Sequence, residues 1–294
     1  MTIHAPSQTP FDSFAKAENV ILSAKYNRFT KEKEKIMSTV KEKELKRGNQ
    51  KEKKNLKQLF LWSPSLDTGM AALSQIIIIA LAFLGLKVFG NTILNPILFG
   101  LTGTLVVCLI FPLYWMVVRR GKGIGTLGIT RKYYSISLLV GFLLGVFVFW
   151  GYYRSFGLSV AIIPALIMGI YSLWEVIFVY GWLQLRFEKA FGIIPAIFLA
   201  GLCFALYHLG YGWFDIPGFI QLFIVGIVMG IIFRITKNIL ILWPFLWPVA
   251  CLRGFKMGGF SPGWNEAGFS AILLVLMFVS IFIFYRIQIR RKSS

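Results

Sequence analysis

The chain has 294 residues, of which 57% are hydrophobic and only 15% are charged, and its mean hydropathy is +0.71. Soluble domains have roughly a quarter of their residues charged, so this composition excludes a soluble globular protein and predicts an all-α integral membrane protein. The net charge of +19 indicates basic loops that contact lipid head groups. Nucleic-acid binding is not indicated, because the basic run KEKEKIMSTVKEKELKRG (31–48) has no interleaved aromatic residues and no binding module follows it.

Residues 1–62 form a polar segment rich in lysine and glutamate ahead of the first long apolar run. Such a segment cannot bury a core, and we predict a basic, disordered cytoplasmic tail with some helix in 31–58. No short apolar run follows a basic N-terminus, so no signal peptide is predicted. The remainder, residues 63–294, is predicted to be one transmembrane domain.

Apolar runs of about 16–25 residues recur from residue 69 onward, and this is the length that a bilayer core requires. The seventh run contains Pro244 and Pro248, which predict a kinked or partly re-entrant span. The runs together predict a bundle of about eight transmembrane helices, near 69–90, 93–118, 135–153, 157–184, 192–209, 217–234, 238–252 and 268–287.

The loops predict how this bundle lies in the membrane. Every second loop is basic, and all of these fall on the side of the basic tail: 119–134, 186–189, 234–237 and 286–292. The opposite loops carry less charge, although Arg253 and Lys256 weaken the contrast. The positive-inside rule therefore predicts a multi-pass protein of the cell membrane with both termini in the cytoplasm.

Glu175 is the acidic residue that lies deep within a predicted span, and a carboxylate at that depth costs several kcal/mol unless it is paired, protonated or wet. His208 lies in the next span, and the only other histidine, His4, is in the tail. Each has a structural alternative, a protonated carboxyl bonded to a neighbouring helix or a histidine that merely packs. Together the two indicate a proton-handling pair that activates water.

Metal binding by the same pair is an interpretation with less support. One glutamate and one histidine are fewer than the three protein ligands usual at a catalytic zinc site. Binding of a divalent metal such as zinc is therefore left as an open alternative with an incomplete set of ligands. The cysteines at 108, 203 and 251 have no close spacing, so they indicate neither a disulfide framework nor a zinc site built on thiolates.

The stretch 174–212 resembles the CPBP family, the CAAX proteases and bacteriocin-processing proteins. The family's first motif, EExxxR followed by glycine and a Leu-Gln pair, aligns with Glu175, Gly181 and the pair at 183–184. The chain departs from this motif at the second glutamate, which is Val176, and at the arginine, which is Tyr180. Residues 126–145 also resemble the lead-in to the family's third span.

The second motif of the family, FxxxH, is intact as Phe204 to His208. The third motif, a histidine followed four residues later by Asn or Asp, falls in 238–252, where the sequence has no histidine. Asn238 opens this segment, and Trp243 and Trp247 occupy it.

The resemblance implies an eight-helix bundle with an intramembrane cavity, lined in part by Phe204, in which a membrane-associated peptide or protein is hydrolysed. It assigns water activation to Glu175 and His208, as catalytic residues or as metal ligands if a metal binds. The third motif of the family supplies a metal site or stabilises the oxyanion. In its place, hydrogen-bond donors are available from Tyr180, Asn238, Trp243 or Trp247, although an interfacial anchor near a span end is the preferred interpretation of Tyr180.

Three functions are compatible with these motifs. The first is a CAAX-protease-like intramembrane endopeptidase. The second is a catalytically dead pseudoprotease that binds a partner, as in bacteriocin immunity, secretion or regulation, and the departures in the first and third motifs favour it. The third is a small transporter with Glu175 as a proton relay, against which the missing internal repeat counts.

Overall fold

The computed structural model describes residues 58–293 apart from 91, 158–160, 211–214 and 258–260, and the predicted tail up to residue 57 lies outside this part. Helix is the regular secondary structure of the described residues, which contain no strand, as the composition predicts. Their main helices are α1 (Leu66–Val88), α2 (Pro96–Arg119), α3 (Tyr134–Phe156), α4 (Ile162–Phe191), α5 (Ile193–Gly210), α6 (Ile216–Thr236), α7 (Leu246–Met257) and α8 (Trp264–Ser293).

Seven of the helices in the described part are long and apolar enough to cross a membrane, and the protein is a multi-pass membrane protein. The exception is α7, which has 12 residues and follows a short 3-10 turn at Ile239–Ile241. The two prolines explain the interruption. Pro244 lies ahead of α7, and Pro248 falls in its first turn, where a missing backbone N–H costs little. The predicted seventh span, 238–252, is therefore a turn followed by a short helix.

Hydrogen bonds gather several chain segments at one end of the bundle, which we call the basic end and define by residues 119–128. Asp67, at the start of α1, accepts a hydrogen bond from Arg120 at 2.6 Å. Gln288, near the end of α8, accepts from the backbone N–H of Ile124 at 2.8 Å, and Arg291 donates to two carbonyl oxygens at the end of α2. The first helix therefore begins, and the last helix ends, at the same end of the bundle.

The segment that contains α7 completes this topology. The backbone N–H of Ile239 donates to the carbonyl of Gly128 at 3.0 Å, so the segment starts at the basic end. Arg253, near the end of α7, lies beside Ile216 and Pro217 at the opposite end of α6. The turn and α7 together therefore return the chain to the end from which α8 starts.

Helix α4 lies at the centre of the described bundle. All residues of its middle stretch, Val176–Gln184, are buried. The first part of α4 packs against α7 and α8, and α5 follows it directly. At its end, the backbone N–H groups of Leu61 and Ser63 donate to the last carbonyls of α4 at 2.9 and 2.7 Å, where the helix itself supplies no donor. The residues before α1 thus complete the C-terminus of α4.

Two glycines allow the backbone to approach α4 closely. A Cβ on Gly181 would lie 2.2 Å from the carbonyl oxygen of Leu127, in the 3-10 turn at the basic end. A Cβ on Gly169 would lie 2.7 Å from the Cα of Pro248 in α7. The second contact decides the position of α7, and with it the residues that face the middle of α4.

Candidate active site

Glu175 lies where α4 changes its winding. The helical segment Ile162–Tyr171 ends at Ser172, whose ψ of 15° departs from helical geometry, and the stretch Val176–Gln184 that follows is wound as a π-helix. Such wide turns inside α-helices occur frequently at functional sites. The Glu175 side chain is buried, with 5% of the residue exposed. A carboxyl group is thus held in the interior at an irregular point of the central helix.

His208 follows the last regular turn of α5 and begins a short 3-10 turn. Its Nδ1 lies 2.7 Å from the carbonyl oxygen of Phe204, one turn earlier. Because a carbonyl can only accept, Nδ1 must carry the proton of that hydrogen bond. In the neutral ring Nε2 is then left with a lone pair. The intact FxxxH spacing therefore fixes both the orientation and the tautomer of the imidazole.

The imidazole and the carboxylate lie beside each other. Nε2 of His208 lies 3.9 Å from Oε1 of Glu175. This distance exceeds a direct hydrogen bond and is in the range where one water bridges two polar atoms. The His208 side chain is 14% exposed and the Glu175 side chain 7%, so the approach is more open from the histidine side.

The other carboxylate oxygen is held by Trp247. The indole Nε1 of Trp247 donates to Oε2 of Glu175 at 2.7 Å, and both residues are buried. Trp247 reaches this position because Pro248, the next residue, packs on Gly169 of α4. A hydrogen bond to a charged acceptor is stronger than one between neutral groups. The carboxylate is therefore fixed on one side and leaves Oε1 for His208.

Aromatic rings enclose the pair. Phe204 meets His208 edge-on at 4.8 Å and Trp247 at 5.6 Å between ring centroids. Tyr180 meets Trp247 edge-on at 5.8 Å, and Tyr207 lies 4.2 Å from His208. These rings exclude bulk water from the carboxylate and strengthen every polar interaction near it.

The structure brings Tyr180, Phe204 and Trp247 to the pair, but it places two other residues proposed from the sequence elsewhere. Asn238 lies at the basic end, where its side chain donates to the carbonyl of Lys132 at 2.9 Å and caps the turn at Ile239–Ile241. Trp243 donates to the carbonyl of Ile170 at 2.9 Å. Both side chains donate to backbone carbonyls of the scaffold and not to the candidate pair. Both residues lie before the start of α7. The catalytic roles of Glu175 and His208 stay a prediction.

Two aromatic residues beside the pair were missed by the sequence reasoning. Trp174 and Tyr207 are the sequence neighbours of Glu175 and His208, and their rings meet at 5.6 Å. Both are buried, and neither the indole N–H of Trp174 nor the hydroxyl of Tyr207 has a hydrogen-bond partner among the described residues. Direct adjacency to two candidate residues was the signal available, but aromatic residues are frequent in this chain and adjacency alone does not distinguish them.

A metal site of the usual catalytic kind does not fit the donors present. Within the described ranges, no three His, Cys, Asp or Glu side chains come together in one group. Glu175 and His208 supply two, and Nδ1 of His208 is engaged by Phe204. This falls short of the three protein ligands typical of catalytic zinc, so no step is assigned to a metal.

Two apolar grooves lie on the outer surface of the described bundle. One, of about 590 Å³, runs along α6 between Ile216 and Val225 and reaches Arg253. The other, of about 190 Å³, lies between α1 and α2. Neither groove is lined by Glu175 or His208. These two grooves therefore do not reach the candidate pair.

Residues 157–247 match the family model described as Type II CAAX prenyl endopeptidase Rce1-like. The predicted resemblance to the CPBP family is confirmed. The Rce1-like region holds both Glu175 and His208 and ends at Trp247. No curated protein and no solved structure matches the chain.

Proposed function

We propose that this protein is an intramembrane endopeptidase of the CAAX-protease type, which hydrolyses a peptide bond in a membrane-associated peptide or protein. The observation that carries the proposal is the 3.9 Å gap between Oε1 of Glu175 and Nε2 of His208. Each group is fixed by a hydrogen bond to a residue outside the pair. Trp247 donates to the carboxylate, and the imidazole donates to the carbonyl of Phe204. Two fixed acceptors at this distance suit one bridging water.

The reaction follows from the donors and acceptors of this pair. A water in the gap donates one hydrogen to Oε1 of Glu175 and one to Nε2 of His208, and its lone pairs point outward. As the oxygen bonds to the carbonyl carbon of the substrate, Glu175 takes the proton and acts as general base. The C–N bond then breaks, and the same proton passes to the leaving nitrogen. The products are a carboxylic acid and an amine.

The surroundings indicate the class of substrate. The pair lies among buried aromatic rings on α4 and α5, two helices long and apolar enough to cross the membrane, so a substrate must bring its scissile bond into an apolar interior. A peptide that is itself embedded in or anchored to the membrane meets this requirement without crossing an aqueous barrier. The family match in 157–247 supports the same class.

The test is a comparison of membrane-peptide profiles by mass spectrometry. Cells that lack the protein, produce wild type, or produce His208→Gln at matched levels are compared. The amide of glutamine is a much weaker base than imidazole and can turn its N–H towards the water, so we expect the knockout and His208→Gln to accumulate the same uncut peptide. Asp215→Asn is the control, because the Asp215 side chain only caps α6 through the N–H of Gly218 and asparagine caps equally well.

A pseudoprotease that acts by binding is the second candidate. It is favoured by the missing third-motif histidine and by the enclosed carboxylate, which is already bonded to Trp247. For this candidate the peptide profiles of wild type, His208→Gln and the knockout coincide, although the knockout still has a phenotype. That outcome would overturn the endopeptidase proposal.

The orientation of the bundle is part of the proposal: the basic end, with both ends of the described domain, faces the cytoplasm. We expect a membrane-impermeant maleimide added to intact cells to label Asn265→Cys, an exposed residue at the start of α8, and to spare Lys122→Cys at the basic end until the cells are opened. Labelling of Lys122→Cys in intact cells would reverse the orientation.

A further inference from the structure

The hydroxyl of Tyr180 is a buried polar group that no described residue satisfies. The residue is completely buried in the centre of α4, and its hydroxyl has no hydrogen-bond partner among the described residues. Buried polar groups in proteins are nearly always hydrogen-bonded, since an unpaired one costs its full desolvation. Such a group at a candidate site indicates a partner that arrives with the substrate.

The position of Tyr180 links it to the carboxylate. It follows Glu175 by five residues, in the stretch Val176–Gln184 that is wound with i to i+5 hydrogen bonds, so it lies close to one turn above Glu175 on the helix. Its ring meets Trp247 edge-on at 5.8 Å, and the indole of Trp247 donates to Glu175 at 2.7 Å. Trp247 therefore contacts the general base on one edge and the tyrosine ring on another.

We propose that the Tyr180 hydroxyl is the donor to the scissile carbonyl oxygen in the reaction of the proposed endopeptidase. As water oxygen bonds to the carbonyl carbon, the π electron pair of the C=O bond moves onto the oxygen. The Tyr180 hydroxyl stabilises that developing oxyanion by a hydrogen bond, without transferring its own proton. This inference rests on the proposed function and adds to it the group that takes the place of the missing third motif.

The chemistry of the site explains why an uncharged donor suits this position. The resemblance places an arginine of the family where this chain has Tyr180, but a guanidinium here would be a buried cation inside the membrane. A phenol supplies a strong O–H donor with no charge to desolvate. The ring of Phe233 at 6.0 Å and that of Trp247 hold the phenol from two sides, so the donor is preorganised.

The other unpartnered groups help to distinguish this role from a general property of the chain. Trp174 packs on Phe99 and Tyr207, and Tyr207 packs on His208, whereas the Tyr180 ring contacts Trp247, the residue that holds Glu175. Tyr152 also has a buried hydroxyl without a partner among the described residues, but it belongs to a separate cluster with Ala165 and Leu252. Tyr152 therefore provides a matched control, with the same chemistry outside the site.

The experiment compares wild type, Tyr180→Phe and Tyr152→Phe in the cleavage of a synthetic peptide with the sequence of the uncut peptide that accumulates in the knockout. We expect Tyr180→Phe to lower kcat about a hundredfold with KM changed less than about threefold, since the hydroxyl acts on the transition state. Tyr152→Phe should cut at the wild-type rate. The melting temperature of each variant in detergent should equal or exceed that of wild type, because only an unpaired buried hydroxyl is removed.

The outcomes separate the two levels of the proposal. If wild type cuts the peptide and Tyr180→Phe cuts equally fast, the role of Tyr180 is overturned while the endopeptidase stands. If wild type does not cut the peptide, and the membrane-peptide profiles of wild type, His208→Gln and the knockout coincide, the proposed function fails. This inference then fails with it. A peptidyl aldehyde of the same sequence, whose hydrate mimics the tetrahedral species, should bind Tyr180→Phe at least tenfold more weakly than Tyr152→Phe.

Discussion

Replacing Glu175 by glutamine is expected to lower the rate of peptide cleavage about a thousandfold, the middle of the range for loss of a general base. The amide has the same size, and its oxygen can still accept the hydrogen bond that Trp247 donates to Oε2 at 2.7 Å. It cannot take a proton from the water that faces His208. The measurement is the initial rate of cleavage by purified protein in detergent or liposomes.

The control for this prediction is Glu188→Gln, a second carboxylate on the same helix. Glu188 lies at the basic end, where its two oxygens are 3.3 Å from Arg234 and from Lys237. We expect this variant to retain the wild-type rate. A Glu175→Gln protein that folds and cuts as fast as Glu188→Gln would show that Glu175 is not the base.

The second large effect is expected on folding, from the replacement of Gly181 by alanine. The new Cβ would lie 2.2 Å from the carbonyl oxygen of Leu127, a distance that no real contact permits. Relief by movement is hindered, because Thr126 and Gly128 on either side of Leu127 are hydrogen-bonded to Arg186 and to Ile239. We therefore expect the free energy of unfolding to fall by about 3 kcal/mol, the upper end of the usual cost of overpacking. The yield of monodisperse protein should be low.

Gly151→Ala is the matched control for Gly181→Ala. Gly151 lies within α3, and a Cβ added there would meet nothing within 4 Å. Alanine is also the better helix former, so the melting temperature should stay the same or rise slightly. Equal losses of stability in both variants would contradict the close packing of Gly181 on Leu127.

Much of the fold could be predicted from the sequence, because a bilayer imposes a simple rule on length and polarity. The apolar runs predict α1 to α6 and α8, and Pro244 and Pro248 predict an interruption in the seventh run. The sequence did not predict that α7 begins at Leu246, because this start depends on where α7 packs on Gly169 of α4. Helix starts near prolines are decided by such tertiary contacts.

The candidate site was predictable in part for the same reason. Glu175 and His208 stand out because ionisable groups are rare at membrane depth, and the structure brings them within 3.9 Å. The sequence offered four donors to complete the site, favoured an interfacial anchor for Tyr180, and could not show which of them reaches the pair. Trp247 rather than Trp243 reaches the carboxylate because the chain turns between them, and this turn has no signature in the spacing of the two indoles.

The backbone hydrogen bonds at the end of α4 bear on which part of the chain can exist by itself. The region that matches the family model, 157–247, contains the candidate pair, yet the last carbonyls of its central helix are satisfied by Leu61 and Ser63, and Gly181 packs on Leu127. All three of these partners lie outside the match. A fragment cut to the match would leave these carbonyls and this close contact without their partners, so we expect an autonomous membrane domain to begin no later than Leu61.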